Sequence, residues 1–184
     1  MKKILLLKHW QLFLLFYFIP AILQILLLGG IMDSEKPQDL IALVSAAGTL
    51  VYLFWIYSMA VYLFRIKQEN LNIKKFKISF FFLTVYFIFF IALISFVKIG
   101  DLFESAWAIG FVILHVAGIY CYLYCAYFNA KLLNSSSQNK VRMNEILGDI
   151  FFILFFPLGV WFIQPRLNKI VRSQDPATSL QKEV

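Results

Sequence analysis

The sequence predicts an all-α, polytopic transmembrane helical bundle, and three observations carry that prediction. Four long stretches, residues 10–31, 40–64, 78–97 and 106–128, contain no Asp, Glu, Lys or Arg. Each reaches the roughly 20 apolar residues that a helix, rising about 1.5 Å per residue, needs to cross about 30 Å of hydrocarbon. Hydrophobic residues make up 61% of the chain. Soluble domains hold about 45–50%, so the excess calls for lipid rather than for a larger core. The charged residues gather in the connections, which alternate between basic and acidic.

The first stretch follows Lys2, Lys3 and Lys8. A basic start before an apolar run imitates a secretory signal, but the run is too long for a signal core and no A-x-A-like site follows. It reads as a retained first span. Pro20 and Gln24 lie one turn apart within it. Proline frees a backbone carbonyl and glutamine hydrogen-bonds across helices, so a kinked span with an inward Gln24 is expected. A substrate or ion site at the broken helix is the functional alternative.

An acidic, turn-rich connection at 33–39 leads to the second span. That span opens with two small-xxx-small pairs, Ala42 with Ala46 and Ser45 with Thr49, a pattern that lets helices approach closely. The basic connection 65–77 is predicted to prolong one or both flanking helices, with Leu71, Ile73 and Phe76 on the membrane surface. The third span is rich in phenylalanine (Phe80, Phe81, Phe82, Phe87, Phe89, Phe90, Phe96) and is predicted to face lipid. The fourth carries a seam of Gly110, Leu114, Ala117, Cys121, Cys125 and Asn129, whose steps of three and four share one helix face. The second and fourth spans are therefore expected at the bundle centre. Tyr120, Tyr122, Tyr124 and Tyr127 lie toward the end of the fourth, where aromatic anchoring at the interface accounts at least for Tyr127.

A fifth apolar segment lies within residues 146–164. Its core, 150–163, holds fourteen residues, about 21 Å as a helix and short of the hydrocarbon thickness. Pro157 and Gly159 sit at its centre. A re-entrant or oblique segment is expected, with a full fifth span as the alternative. Arg142, Glu145 and Asp149 share one face at its start, where pairing along the helix is expected. The polar run 134–139 reads as a loop, and 173–184 as a disordered cytoplasmic tail. The string from Phe155 to Asn168, FFPLGVWFIQPRLN, resembles the C-terminal ends of small uncharacterised bacterial integral membrane proteins. The resemblance implies membrane placement and carries no activity.

With the N-terminus inside, the inner connections hold eleven basic residues and the outer ones only Lys36 and Lys98. The expected topology is therefore multi-pass in a bacterial inner membrane, with the N-terminus and C-terminus cytoplasmic. The same bias explains the net charge of +7 without nucleic acid. The expected partners are the lipid bilayer and a membrane protein or a second copy of the chain.

Chemistry-bearing residues are few. His115 is the single histidine within a span; a haem, metal or proton-relay role competes with a neutral imidazole hydrogen-bonded inside the bundle. Cys121 and Cys125 are one turn apart, but their spacing is not the redox C-x-x-C, and small packing side chains are expected. Asp149 is the deepest carboxylate. No catalytic motif is found, and no cofactor or metal is expected. The leading reading is a non-enzymatic protein acting through helix–helix contacts, as an accessory subunit or as an assembly, immunity-type or regulatory protein. A small transporter or channel built around Pro20, Gln24, His115 and the broken fifth segment is the alternative.

Overall fold

The computed structural model describes residues 2–29, 37–67, 71–96, 108–137 and 143–174, and none of these forms a strand. A short helix α1 (Lys2–Leu5) leads into the first span, made of α2 (His9–Phe13), a wide π turn (Leu14–Phe18) and α3 (Ile19–Leu28). Helices α4 (Pro37–Lys67), α5 (Ile73–Phe96) and α6 (Ala108–Ser137) follow, then a pair, α7 (Met143–Leu154) and α8 (Phe156–Ser173). Four segments, His9–Leu28, Leu40–Lys67, Ile73–Leu93 and Ala108–Ser136, are long and apolar enough to cross a membrane. They coincide with the four predicted spans; residues 30–31, 97 and 106–107 of those predictions lie outside the described residues, as do Lys36, Lys98, Arg142 and most of the tail. The connection 65–77 does prolong both its neighbours, α4 to Lys67 and α5 from Ile73.

The π turn has a local cause. Pro20 has no N–H, so the Phe16 carbonyl loses its helical donor. Gly48 of α4 packs against that carbonyl: a Cβ there would lie 3.1 Å from the Phe16 oxygen. Beside this approach, Gln24 Nε2 donates to Ser45 Oγ at 2.9 Å, and Ser45 donates to the Ile41 carbonyl at 2.8 Å. The inward glutamine is thus realised, and Gly48 packs beside it on the Phe16 carbonyl.

Helices α4 and α6 form the centre. Trp55, Ile56, Met59, Ala60 and Leu63 of α4 are fully buried, as are Cys125, Ala126 and Phe128 of α6. Phe76, expected on the membrane surface, is also fully buried. It stacks on Phe128 with ring centroids 4.5 Å apart, because α5 starts with its first turn already against α6. The third span is not a lipid-facing shell. Leu83 and Tyr86 are buried and Phe80, Phe82, Phe87 and Phe90 partly so, while Phe81 and Phe89 point outward.

The polar run from Asn134 does not open a loop where composition suggests one. Helix α6 continues through Ser137, and Asn134 and Ser135 are buried. Both serve the helix: Asn134 Nδ2 donates to the Ala130 carbonyl and Ser135 Oγ to that of Leu132. Back-bonding of this kind lets polar residues stay helical.

Candidate functional site

The most unusual part of the molecule is the helical pair α7–α8. A single residue, Phe155, leaves helical geometry with φ −90° and ψ 62°. Pro157 then sits in the first turn of α8, where its missing N–H removes no helical bond. The chain reverses at this point. Phe152 stacks on Phe162 with centroids 4.4 Å apart, and Asp149 reaches Arg166, so residues ever farther from the apex face one another. The fifth segment is therefore an antiparallel hairpin within the bundle rather than a straight fifth rod.

Reversing a helix in apolar surroundings exposes its last carbonyls, and each needs a partner. The bundle supplies them. Tyr52 Oη of α4 donates to the Ile153 carbonyl at 2.8 Å. Tyr122 Oη of α6 donates to that of Leu154 at 3.2 Å. The two hydroxyls lie 2.9 Å apart. The Phe155 carbonyl receives the N–H groups of Leu158 and Gly159. The Phe152 carbonyl faces Gly159, so closely that a Cβ on Gly159 would fall 1.5 Å from its oxygen. Phe156 at the apex fits among Phe16, Tyr52 and Trp55, at centroid distances of 4.8, 4.7 and 5.7 Å. Since Tyr52 lies midway along α4, the hairpin enters from one end of the bundle and turns at its mid-height.

The open end of the hairpin is held by a buried carboxylate. Asp149 is 3% exposed. One oxygen accepts from Arg166 at 2.5 Å and the other from Asn134 Nδ2 at 2.6 Å. The sequence predicts pairing of Asp149 along its own helix with Glu145 and Arg142. The partners shown are the opposite arm, through Arg166, and the end of α6, through Asn134, because Asp149 faces inward; the expected pairing with Arg142 lies outside the described residues.

A third junction ties the N-terminal turn to α8. Gln164 is fully buried. Its amide nitrogen donates to the carbonyls of Leu5 and Leu7, both at 2.9 Å, and its oxygen accepts from Trp55 Nε1 at 2.9 Å. Asn168 Nδ2 adds a bond to the Leu7 carbonyl. The break between α1 and α2 leaves those carbonyls without helical donors, and this pair of amides replaces them.

The remaining sequence candidates are placed as follows. His115 is hydrogen-bonded to the Tyr86 hydroxyl, joining α6 to α5. His9 lies far from it in sequence and packs on Trp161 at 4.6 Å. Cys121 and Cys125 are free thiols, Cys125 buried and Cys121 partly so. Ala117 is partly buried on the same face. Gly110 is exposed, and a Cβ there would meet nothing within 4 Å. The seam therefore ends below it, where α6 leaves the core. The tight glycine is Gly118, against whose Cβ position the Tyr86 ring would lie at 2.9 Å. Ala42 and Ala46 are partly buried and line an apolar cleft between α4 and α5. Among the described residues, no group of three or more His, Cys, Asp or Glu side chains is placed to hold a metal ion.

Sequence reading passes over Tyr52 and Trp55, and gives no bonding role to Asn134 or Asn168. Their shared signal is a hydrogen-bonding side chain within or at the end of a long apolar helix, where lipid would strongly disfavour an unsatisfied one. No protein-family model matches this chain, and neither does a curated protein or a solved structure.

Proposed function

We propose that this chain is a non-enzymatic integral membrane protein of a bacterial inner membrane that acts through its outward helix faces, as an accessory, assembly, immunity-type or regulatory component. One observation carries this reading: the polar side chains singled out by their chemistry at membrane depth are engaged between elements of the fold. Gln24 holds Ser45, His115 holds Tyr86, Tyr52 and Tyr122 hold the hairpin apex, and Asp149 holds both Arg166 and Asn134. Groups engaged in this way fix a scaffold. They are poorly placed to meet a substrate. Exposed hydrophobic side chains along α6 include Ile109, Ile113, Val116, Tyr120 and Leu123.

The N-terminus and both feet of the hairpin lie on the cytoplasmic side in this reading. The asymmetry of eleven basic residues to two favours it, and so does the Gln164 junction, which puts the N-terminal turn beside the exit of α8. The C-terminal string that resembles other small bacterial membrane proteins is then the returning arm of the hairpin.

Site-specific photo-crosslinking tests the proposal. A photoreactive residue at Ile113 or Val116 should capture a discrete membrane-protein partner or a second copy, and one at buried Ile56 should not. Substrate-dependent flux into proteoliposomes, lost in Gln24→Leu or His115→Ala with folding retained, would replace this reading by the transporter alternative.

A further inference from the structure

The side of α5 that looks away from the bundle has an order of chemistry that neither the hairpin nor the core uses. Lys74, Lys77, Ile78, Phe81, Val85 and Ile88 follow one another at steps of three and four, so they share one side of the helix. All six are exposed, Ile78 and Phe81 at 71% and 72%. Phe76, on the opposite side, is fully buried. Lys75 turns sideways onto the Tyr124 ring of α6, its Nζ 5.0 Å from the centroid. Two cations thus stand at the head of an apolar track. Among the described residues, no ion pair or hydrogen bond engages either ammonium group. Arg65 and Lys67, both exposed, close α4 at the same end of the bundle, and neither of these two helix ends carries an acid. Across residues 65–77 the sequence sets five basic residues against Glu69. A bias of basic residues to one side of a membrane accounts for that charge. It does not account for two lysines in register with an exposed apolar track.

We propose that this face of α5 binds an acidic phospholipid, its headgroup phosphate at Lys74 and Lys77 and an acyl chain along Ile78 to Ile88. The leaflet is the one at the Lys67 end of the bundle, cytoplasmic in the orientation proposed above. Charge complementarity and the order of the groups select that occupant. The span of α4 ends at Lys67 and that of α5 starts at Ile73, so Lys74 and Lys77 stand at the membrane boundary, where a lipid carries its phosphate. A lysine at a span end lays its stem on apolar surface and lifts its ammonium to that level. From Ile78 to Ile88, ten helical steps give about 15 Å, half of a hydrocarbon core of roughly 30 Å. The apolar track therefore runs to the depth at which one leaflet ends. A soluble anion would engage the lysines alone, whereas a lipid engages the lysines and the track together. A zwitterionic headgroup brings its own cation beside the phosphate, so two further cations favour a headgroup of net negative charge. One basic residue near an anionic surface is worth about fivefold in that preference. The site is independent of the proposed function, which rests on contacts with proteins.

The test uses the full-length protein in vesicles of phosphatidylcholine with a minor share of phosphatidylglycerol. A photoreactive residue stands at position 81 or, for reference, at position 123 on the outward face of α6. After irradiation, the lipids attached to the protein are identified by mass spectrometry. The phosphatidylglycerol share of the adducts at position 81 should exceed that at position 123 by about threefold or more. Lys74→Gln combined with Lys77→Gln should bring it down to the reference value, and Lys74→Arg combined with Lys77→Arg should keep it high. Lys3→Gln combined with Lys75→Gln removes the same charge away from this face and should also keep it high. Should the first pair fail to fold, Lys77→Gln alone should give a smaller drop in the same direction. Equal shares at the two positions, or an equal drop in the two charge-matched glutamine pairs, would overturn the proposal. So would loss of the enrichment on adding inorganic phosphate at constant ionic strength, which would mark a site for a soluble anion. Protein–protein crosslinks in place of lipid adducts at position 81 would overturn it too.

Discussion

Replacing Gly159 by alanine should open the hairpin. A Cβ at this position would lie 1.5 Å from the Phe152 oxygen, 2.4 Å from its carbonyl carbon and 3.1 Å from its Cα. Carbon–oxygen contacts between packed helices settle at about 3.3–3.6 Å, so the Phe152 carbonyl must retreat by nearly 2 Å. This atom belongs to backbone and has no rotamer to adopt. Its arm is fixed on both sides, by Asp149 on Arg166 and by the tyrosine bonds to Ile153 and Leu154. Relief at Gly159 therefore strains those bonds. Overpacking by one methylene commonly costs about 1–3 kcal/mol, and a required shift of this size belongs at the upper end or beyond it. Alanine's better helix propensity returns only about 0.5–1 kcal/mol. A net loss of about 2–3 kcal/mol is a large share of a typical stability of roughly 5–15 kcal/mol. Gly110 is the internal control, since its Cβ would meet nothing within 4 Å, and Gly110→Ala should be neutral or slightly stabilising. Thermal unfolding in mild detergent, followed by circular dichroism and by size-exclusion recovery, measures both. If Gly159→Ala melts at the same temperature as Gly110→Ala, the close packing of the two arms at Phe152 is wrong.

The other locks give sharper contrasts. Tyr52→Phe and Tyr122→Phe should each destabilise by about 1–3 kcal/mol, because a buried carbonyl at the apex loses its donor; the double variant should be non-additive, since the two hydroxyls also contact each other, and a strictly additive result in the same melting assay would separate them. Arg166→Leu should cost about 3–5 kcal/mol by leaving the buried Asp149 carboxylate without its cation, whereas Asp149→Leu should cost distinctly less, because Arg166 is 36% exposed and Asp149 only 4%; equal losses would contradict that asymmetry. Replacing both Cys121 and Cys125 by Ala should leave the fold intact at about 1 kcal/mol or less per site, the transfer cost of a small buried group; loss of folding, or of a bound metal measured by elemental analysis, would contradict a packing role for the thiols.

The four spans are legible in the sequence because exclusion of charge is a local property that composition records directly. The inward Gln24 is legible for a related reason, since one glutamine beside one proline in an apolar run has few satisfactory fates. The hairpin is half legible. Pro157 and Gly159 mark a break, but the break falls at Phe155, and Gly159 serves the close approach of two arms rather than the turn itself. Its supports are not legible at all. Tyr52 meets Ile153 across 101 residues and Trp55 meets Gln164 across 109, separations that no periodicity encodes. Asn134 misleads in the opposite direction: a polar residue after an apolar run suggests an exit to water, yet its partner is a carboxylate delivered by a later helix. The α6 seam shows a further limit of spacing. Helix geometry places Gly110 in line with Ala117 and Cys121, but spacing does not say where the helix parts from its neighbours.

The Gln164 junction also has a consequence for the order of assembly. Leu5 and Leu7 emerge first, and the amide that satisfies their carbonyls lies 159 and 157 residues later. At about 5–20 residues per second, ribosomal synthesis separates the two by on the order of 10 s. Throughout that interval the turn between α1 and α2 must keep water on its carbonyls and so remain at the membrane surface. The turn between α1 and α2 is thus fastened only when α8 arrives. A cysteine placed at Leu6 should accordingly react with a water-soluble maleimide in ribosome-bound chains arrested before residue 164 is exposed, and lose that reactivity in released chains. Protection already present in the arrested chains would mean that the turn is buried by some earlier contact.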